Sequence, residues 1–417
     1  RLGLEGSFYG HAASGLLHVR PVLDLHRAED VARYRQVSDE VAALVLQVKG
    51  SVSAEHGVGI GHTEYMPEHM GAEIMELTRT IKALFDPKNV FNPGKIVPGP
   101  QAYRIETRLR QGANKEIPVP FTPVLKFAFK DESFIGNLEQ CNGCGGCRKA
   151  PPTMCPTYAA TGEEIMSTRG RANTIRAVLE QRLHEDALAS ESLALALGSC
   201  LSCKACTTEC PSNVNMALLK AELLHARQRR DGIPLRERMI SNVDLLGKLG
   251  SIVPSLTNAS MNAKVTRKLA EKILGFASER PLPPYGPFRV DKWFANRKRN
   301  GNTKRGRVIL WDDTFVRYNE PDIGVAAVKV LEAAGYEVEL LKGRACCGRP
   351  AFSVGRLDMA RKNGLRNIAL LKDRNDPVVF LEPSCHSMFA EDYIELGVPD
   401  AREVARRCVL FEKFLFE

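Results

Sequence analysis

Cys141-Asn142-Gly143-Cys144-Gly145-Gly146-Cys147, closed by Cys155-Pro156, and Cys200-Leu201-Ser202-Cys203-Lys204-Ala205-Cys206, closed by Cys210-Pro211, are the stretches on which the fold turns. The second reads C-x2-C-x2-C-x3-C-P. In that arrangement three thiolates on a tight loop hold three irons of one cubane [4Fe–4S] cluster, while the fourth, across the fold, ligates the other cube. The expected grouping is Cys141, Cys144 and Cys147 with Cys210, and Cys200, Cys203 and Cys206 with Cys155. The first set departs from the pattern, because seven residues separate Cys147 from Cys155. Two zinc knuckles are the alternative, since zinc also uses C-x2-C pairs; triple runs closed by Cys-Pro, occurring twice, favour clusters.

The totals fit this reading. A chain of 417 residues with 44% hydrophobic and 26% charged residues has room for several buried cores. The formal charge of +9 sits largely in runs such as Arg297-Lys298-Arg299 and Lys304-Arg305-Gly306-Arg307, read as a solvated basic linker with no nucleic-acid role. No apolar stretch approaches the roughly 20 residues that span a bilayer, and no signal-peptide pattern opens the chain. Twelve cysteines grouped at C-x2-C spacing, without a secretory signal, read as thiolates for metal in a reducing, cytoplasmic compartment. Arg1 falls within a strand already under way, Leu4 to Tyr9, and Val409 to Glu417 stop in mid-pattern, so a fragment of a longer protein is expected.

Residues 1–98 open with the strand-like runs Gly6-Ser7-Phe8-Tyr9-Gly10 and Leu16-Leu17-His18-Val19-Arg20-Pro21, split by a Gly/Ser turn. Val31, Tyr34, Val41, Leu44, Val45 and Val48, then Ile74, Leu77, Ile81 and Leu84, recur at helical spacing, which makes an α+β unit. Residues 99–138 are Pro-rich and read as a connecting segment. Residues 139–240 place a helix over Arg171 to Leu183 between the cysteine sets and another after Pro211, a mainly α two-cluster ferredoxin-like domain. Residues 241–306 are a mixed helical and linker region. In 307–417, strands over Val308 to Trp311, Val338 to Leu341 and Val378 to Leu381 alternate with helices over Ile323 to Ala334 and Met359 to Leu371, an α/β domain with a mainly parallel sheet.

Cys346-Cys347-Gly348 and Glu382-Pro383-Ser384-Cys385 each follow one of these strands, at what reads as the carboxyl ends of adjacent strands, where open α/β sheets place ligands. Vicinal thiols pair poorly with each other, so a redox or metal role is expected of Cys346, Cys347 and Cys385; buried structural cysteines are the alternative. These residues resemble the cysteine-rich CCG domain of heterodisulfide reductase subunits and of anaerobic glycerol-3-phosphate dehydrogenase, in which the cysteines hold a cluster or meet the electron acceptor. The domain is truncated to one CCG half, and His386-Ser387-Met388 stands where the family has its closing cysteine. Cys408 has no partner pattern and reads as structural.

Near the N-terminus, His11 and His18 flank a small-residue turn, and Glu55-His56-Gly57 follows. Two imidazoles and a carboxylate are a common ligand set for a catalytic divalent metal with open positions; His26, His62 and His69 carry no comparable pattern. Tyr9-Gly10-His11, Leu17-His18-Val19-Arg20-Pro21, Glu55-His56-Gly57, Phe85-Asp86-Pro87 and Phe91-Asn92-Pro93-Gly94-Lys95-Ile96, in this order, resemble the C-terminal cap of FAD-linked oxidases of the vanillyl-alcohol-oxidase class. The resemblance implies that His11, His18 and Glu55 hold a divalent metal such as zinc that grips a 2-hydroxy acid. It implies also that His56 is the base and that Asn92, Pro93, Gly94 and Lys95 approach the flavin. An imidazole suits the base role. Arg20 stands where many relatives have other residues, and its planar guanidinium suits a substrate carboxylate.

The whole order resembles fused FAD and iron–sulfur dehydrogenases that oxidise D-lactate or D-2-hydroxyglutarate; the runs Ser167 to Asn173 and Pro211 to Met216 share it. The resemblance implies oxidation of D-lactate, D-2-hydroxyglutarate or glycolate, with FAD and two [4Fe–4S] clusters passing electrons to a quinone or other carrier. It allows peripheral association with the inner face of a membrane. No dinucleotide-binding glycine fingerprint occurs in the chain, so FAD is an inference. The rival reading is an electron-transfer subunit with no substrate site, as in anaerobic glycerol-3-phosphate dehydrogenase.

Overall fold

A computed structural model of the chain describes residues 2–99, 103–107, 109–113, 115–129, 131–149, 154–183, 186–298 and 304–416. They form two compact units, 1–116 and 117–417. Among the described residues no helix is long and apolar enough to cross a membrane.

In the first unit, β1 (Gly6–His11) pairs antiparallel with β2 (Leu16–Pro21), in the register Ser7↔Arg20, Tyr9↔His18 and His11↔Leu16. Side chains alternate across a strand, so Tyr9, His11, His18 and Arg20 share one face. Gly10 is required here, because a Cβ would lie 2.2 Å from the Leu16 carbonyl oxygen. The periodic runs form the helices Ala28–Gln47 and Ala72–Phe85. The stripe of Ile74, Leu77, Ile81 and Leu84 nevertheless lies exposed.

The second unit is helical up to residue 296, and its helices begin where the sequence supplies caps. Ser133, Ser167, Ser190 and Asn215 each accept a hydrogen bond from a backbone N–H of the first turn, satisfying donors that the helix itself leaves open. The helix Thr168–Leu179 stops short of the expected Leu183. Its Gly170 packs against the preceding turn, where a Cβ would stand 1.9 Å from the Glu164 carbonyl oxygen. The Pro-rich segment packs from residue 117 onward, burying Ile117, Leu125 and Phe127 in the same core as Phe134, Leu138, Ile175 and Leu223. Glu222, buried in the helix Met216–Asp231, holds it by accepting the Val124 amide (2.6 Å) and the Leu125 amide.

The basic run departs from a solvated linker at Arg297, which pairs with Glu332 at 2.7 Å and stacks 3.5 Å over the Phe294 ring; Arg299 lies outside the described residues.

The C-terminal sheet is parallel, with the order β4 (Glu337–Leu340), β3 (Arg307–Trp311), β5 (Val378–Phe380), β6 (Cys408–Leu410). The expectation that the two cysteine loops follow adjacent strands is therefore corrected: β3 lies between β4 and β5. The chain adds β4 on one side of β3 and then crosses to build β5 on the other. The two loops meet over the carboxyl end of the sheet at this reversal of strand order.

Burial pushes the Glu222 carboxyl up to about 7 from 4.5, against the two amide hydrogen bonds that lower it. Between those values the folded chain holds a proton that the unfolded chain has lost, so this group's contribution to stability is full below about pH 4.5 and is lost as the pH rises through 7. Glu222→Gln, which keeps an acceptor for both amides, should remove a pH-dependent contribution of up to about 3 kcal/mol. Denaturation midpoints of the two proteins across that range, converging at low pH and parting above it, would check this.

Candidate metal and iron–sulfur centres

The hairpin face brings His11 and His18 together, their rings 5.5 Å apart. The loop after the first long helix carries Glu55 and His56 between two residues of positive φ, Ala54 (44°) and Gly57 (75°). A left-handed alanine costs about 1–3 kcal/mol and is the kind of strain that functional loops hold. Glu55 Oε1 lies 3.4 Å from His11 Nε2, 3.7 Å from His18 Nε2 and 3.3 Å from His56 Nε2. A zinc ion about 2.0–2.2 Å from nitrogen and oxygen ligands needs donor atoms separated by about 3.4 Å, so His11, His18 and Glu55 fit such an ion closely. The His56 side chain is 67% exposed.

Tyr9 received no role from its sequence. It stacks on His18 at 4.7 Å and lies 4.6 Å under the Arg20 guanidinium. The strand period of two, which puts Tyr9 on the face of His11, was the available clue. Arg20 makes no ion pair among the described residues and shares this face. The Asn92–Lys95 turn, with positive φ at Asn92 and Gly94, is fixed elsewhere: Lys95 donates to Asn92 Oδ1 at 3.1 Å and the Ile96 amide to Thr63 Oγ1 at 2.9 Å. Among the described residues it makes no hydrogen bond to the histidine group.

The eight cysteines of the two sets line two cavities. One gathers Cys141, Cys144, Cys147 and Cys210; the other gathers Cys155, Cys200, Cys203 and Cys206. Each cavity thus takes its fourth cysteine from the other set, the grouping expected of paired C-x2-C-x2-C-x3-C-P runs. Cys155 lies among Cys200, Cys203 and Cys206. Its position comes from the helix Pro156–Thr161, which Pro156 starts. Backbone amides point at the sulfurs, Gly146 at Cys144 (3.4 Å), Arg169 at Cys147 (3.5 Å) and Ser202 at Cys200 (3.5 Å), the donors that tune cluster potentials.

Zinc knuckles fit poorly. Four sulfurs 2.3 Å from one zinc lie within about 4 Å of each other. Among the described residues, only His11, His18 and Glu55 bring three ligand atoms within 4.8 Å of one another. Burial pushes the Cys206 thiol up to about 12, so its thiolate needs a cationic guest beside it.

In the C-terminal domain Cys346, Cys347 and Cys385 meet in the core, with Cys385 Sγ 3.0 Å from Cys347 Sγ. Asn367 donates to the Cys346 carbonyl (3.2 Å) and Tyr393 to that of Cys347 (2.6 Å), fixing the loop. The neighbouring Cys347 thiol and burial push Cys346 up. Cys347 is lowered by Cys346, but contact with Cys385 and burial prevail and it too is raised. Cys408 donates to the Val404 carbonyl at 3.3 Å, and burial pushes it up to about 12.

Three domain families match in the order of these sites: residues 1–96 match the C-terminal domain of FAD linked oxidases, 137–214 a 4Fe-4S dicluster domain and 314–390 a cysteine-rich domain. The chain therefore carries, in order, domains similar to the C-terminal domain of FAD linked oxidases, a 4Fe-4S dicluster domain and a cysteine-rich domain. Its relatives include D-2-hydroxyglutarate dehydrogenase of Escherichia coli (strain K12), 29% identical over 81% of this chain and 37% of the relative. The enzyme of the same name from Pseudomonas putida (strain KT2440) is 29% identical over 94% of this chain and 42% of the relative. A component of the anaerobic glycerol-3-phosphate dehydrogenase of Escherichia coli (strain K12) is 29% identical over 42% of this chain and 46% of the relative. The chain thus spans about two fifths of the length of the two D-2-hydroxyglutarate dehydrogenases. No solved structure matches it.

The crossed cavities predict how cysteine losses combine. Cys210→Ala with Cys141→Ala strikes one cavity and should leave about half of the iron, whereas Cys210→Ala with Cys200→Ala strikes both and should leave almost none. Iron analysis after anaerobic purification checks this; the opposite ranking would mean that each set closes on itself.

Proposed function

We propose that this chain is part of an FAD-dependent dehydrogenase that oxidises a D-2-hydroxy acid and passes the electrons through two [4Fe–4S] clusters to a quinone or another carrier. The observation that carries this reading is the convergence of three imidazoles on one oxygen of Glu55, beside an unpaired arginine, in a chain whose matched relatives include two proteins named D-2-hydroxyglutarate dehydrogenase.

In this reading His11, His18 and Glu55 hold a divalent metal such as zinc. Bound there, the metal supplies Lewis-acid polarisation of the substrate hydroxyl, and FAD supplies the hydride acceptor. The residues of this chain do the rest. Arg20, placed over the Tyr9 ring, grips the substrate carboxylate in a planar two-point contact. His56 takes the hydroxyl proton, a role an imidazole suits. Tyr9 keeps His18 and Arg20 in register by stacking on both. Asn92, Pro93, Gly94 and Lys95 are assigned to the flavin side of the site. Cys141, Cys144, Cys147 and Cys210 take one cube; Cys155, Cys200, Cys203 and Cys206 take the other. Cys346, Cys347 and Cys385 face the acceptor end.

The rival reading, electron transfer alone, draws support from the match to a component of a glycerol-3-phosphate dehydrogenase, but it leaves the histidine group without a use. Peripheral membrane association is supported by the helix Lys264–Leu274. Val265, Leu269 and Ile273 form an exposed stripe on it, flanked by Lys264, Lys268 and Lys272, the pattern of a helix that lies in an anionic membrane surface.

His56→Ala in the full-length polypeptide should lower kcat for the hydroxy acid by about 10²–10⁴-fold. His11→Ala should lose the substrate-site metal while both clusters keep their paramagnetic signals. Normal turnover by His56→Ala, measured with an artificial acceptor, would remove the histidine from the base role.

A further inference from the structure

The two cluster cavities differ in charge. Arg171 is 1% exposed. A guanidinium cannot shed its proton, and buried cations need an anion. Its Nε donates to the Ala196 carbonyl (2.7 Å), its Nη2 to Thr157 Oγ1 (3.1 Å) and Ser199 Oγ (3.3 Å), and its Nη1 to Cys155 Sγ (3.3 Å). Among the described residues no carboxylate pairs with it, and Cys155 is the one contact that can carry negative charge.

Lys220, 9% exposed, reaches the same cavity wall by donating to the Cys200 carbonyl and has no carboxylate partner among the described residues either.

At the other cavity the nearest cation is already matched to a carboxylate. Arg169 touches the Gly143 carbonyl at 3.0 Å, but its guanidinium is held at two points by Glu164 (2.8 and 3.0 Å), which also takes Arg148. Two hydrogen-bonded arginines beat burial there and hold Glu164 at about 2.

Reduction adds one electron to a thiolate-bound cube, with no bond made or broken, and the added charge is stabilised by an unpaired cation in a low-dielectric setting far more than by a cation already matched to a carboxylate. We infer that Arg171 and Lys220 raise the reduction potential of the cluster held by Cys155, Cys200, Cys203 and Cys206 above that of its neighbour, making it the exit end of the pair. The position of that cluster agrees. Its loop is tied to the cysteine-rich domain by Arg349 donating to the Ser202 carbonyl (2.5 Å) and by Lys204 pairing with Asp392 (2.8 Å). Electrons running downhill between the cubes thus arrive beside Cys346, Cys347 and Cys385. Arg171 and Lys220 act through the cluster and are positioning residues.

The inference rests on the reading that both cysteine sets hold [4Fe–4S] clusters, and its test needs no substrate. The chain with both clusters loaded is titrated with a chemical reductant and followed by electron paramagnetic resonance. Cys203→Ser perturbs one set and so labels its signal. In Arg171→Gln and in Lys220→Gln the labelled couple should become about tenfold harder to reduce, about 59 mV for one electron, while the other stays in place. Arg171→Lys should recover most of the shift, and Arg169→Gln should move its own cluster less. If Arg171→Gln fails to keep iron, Lys220→Gln decides alone. Loaded variants with both couples unmoved, or a wild-type protein whose labelled cluster is the lower in potential, would overturn the inference and leave the cluster reading intact. A wild-type chain that takes up no iron would overturn both.

Discussion

The structure of the second unit depends on one electrostatic constraint: two groups of four cysteines, with Cys141, Cys147 and Cys155 buried, sit beside a buried guanidinium in a helical core. Burial pushes the Cys206 thiol toward its neutral form, and a buried Arg171, without a carboxylate among the described residues, is costly unless something anionic sits beside it. The two demands are met together when each cavity holds an iron–sulfur cube. The cube's irons make the thiolates tolerable, and its net negative charge gives Arg171 its counter-ion. The caps at Ser133, Ser167, Ser190 and Asn215, the close approach at Gly170 and the Glu222 clamp on residues 124–125 then read as the scaffold that keeps the cavities in register.

Much of this was legible in the sequence where the chemistry is local. C-x2-C spacing dictates a loop tight enough to present three sulfurs to one guest, so Cys141, Cys144 and Cys147, and Cys200, Cys203 and Cys206, could be grouped by inspection. The paired histidines are legible because a hairpin of period two puts His11 and His18 on one face. Helix positions followed apolar periodicity, and their ends shifted by a few residues, as ends do.

What stayed hidden is non-local. The order β4-β3-β5-β6 depends on which side of β3 each crossover adds its strand, and strand composition does not encode that choice. Arg171 looked like any arginine in a helix; its importance comes from partners outside its own helix, at Cys155, Thr157 and the 196–199 turn. Arg297 belongs to a run of charges that suggests solvent, yet its neighbours Phe294 and Glu332 draw it back onto the domain. Tyr9 has an ordinary aromatic's sequence signature and a specific place between His18 and Arg20.

The central claim is that a hydroxy-acid site and two iron–sulfur clusters belong to one electron path. The most direct measurement is anaerobic mixing of the full-length polypeptide with D-2-hydroxyglutarate, D-lactate or glycolate, in the absence of any acceptor, followed by freezing and electron paramagnetic resonance. The account predicts that at least one of these acids produces the signals of reduced [4Fe–4S] clusters, matching those produced by dithionite. Signals with dithionite but with none of the three acids would contradict it.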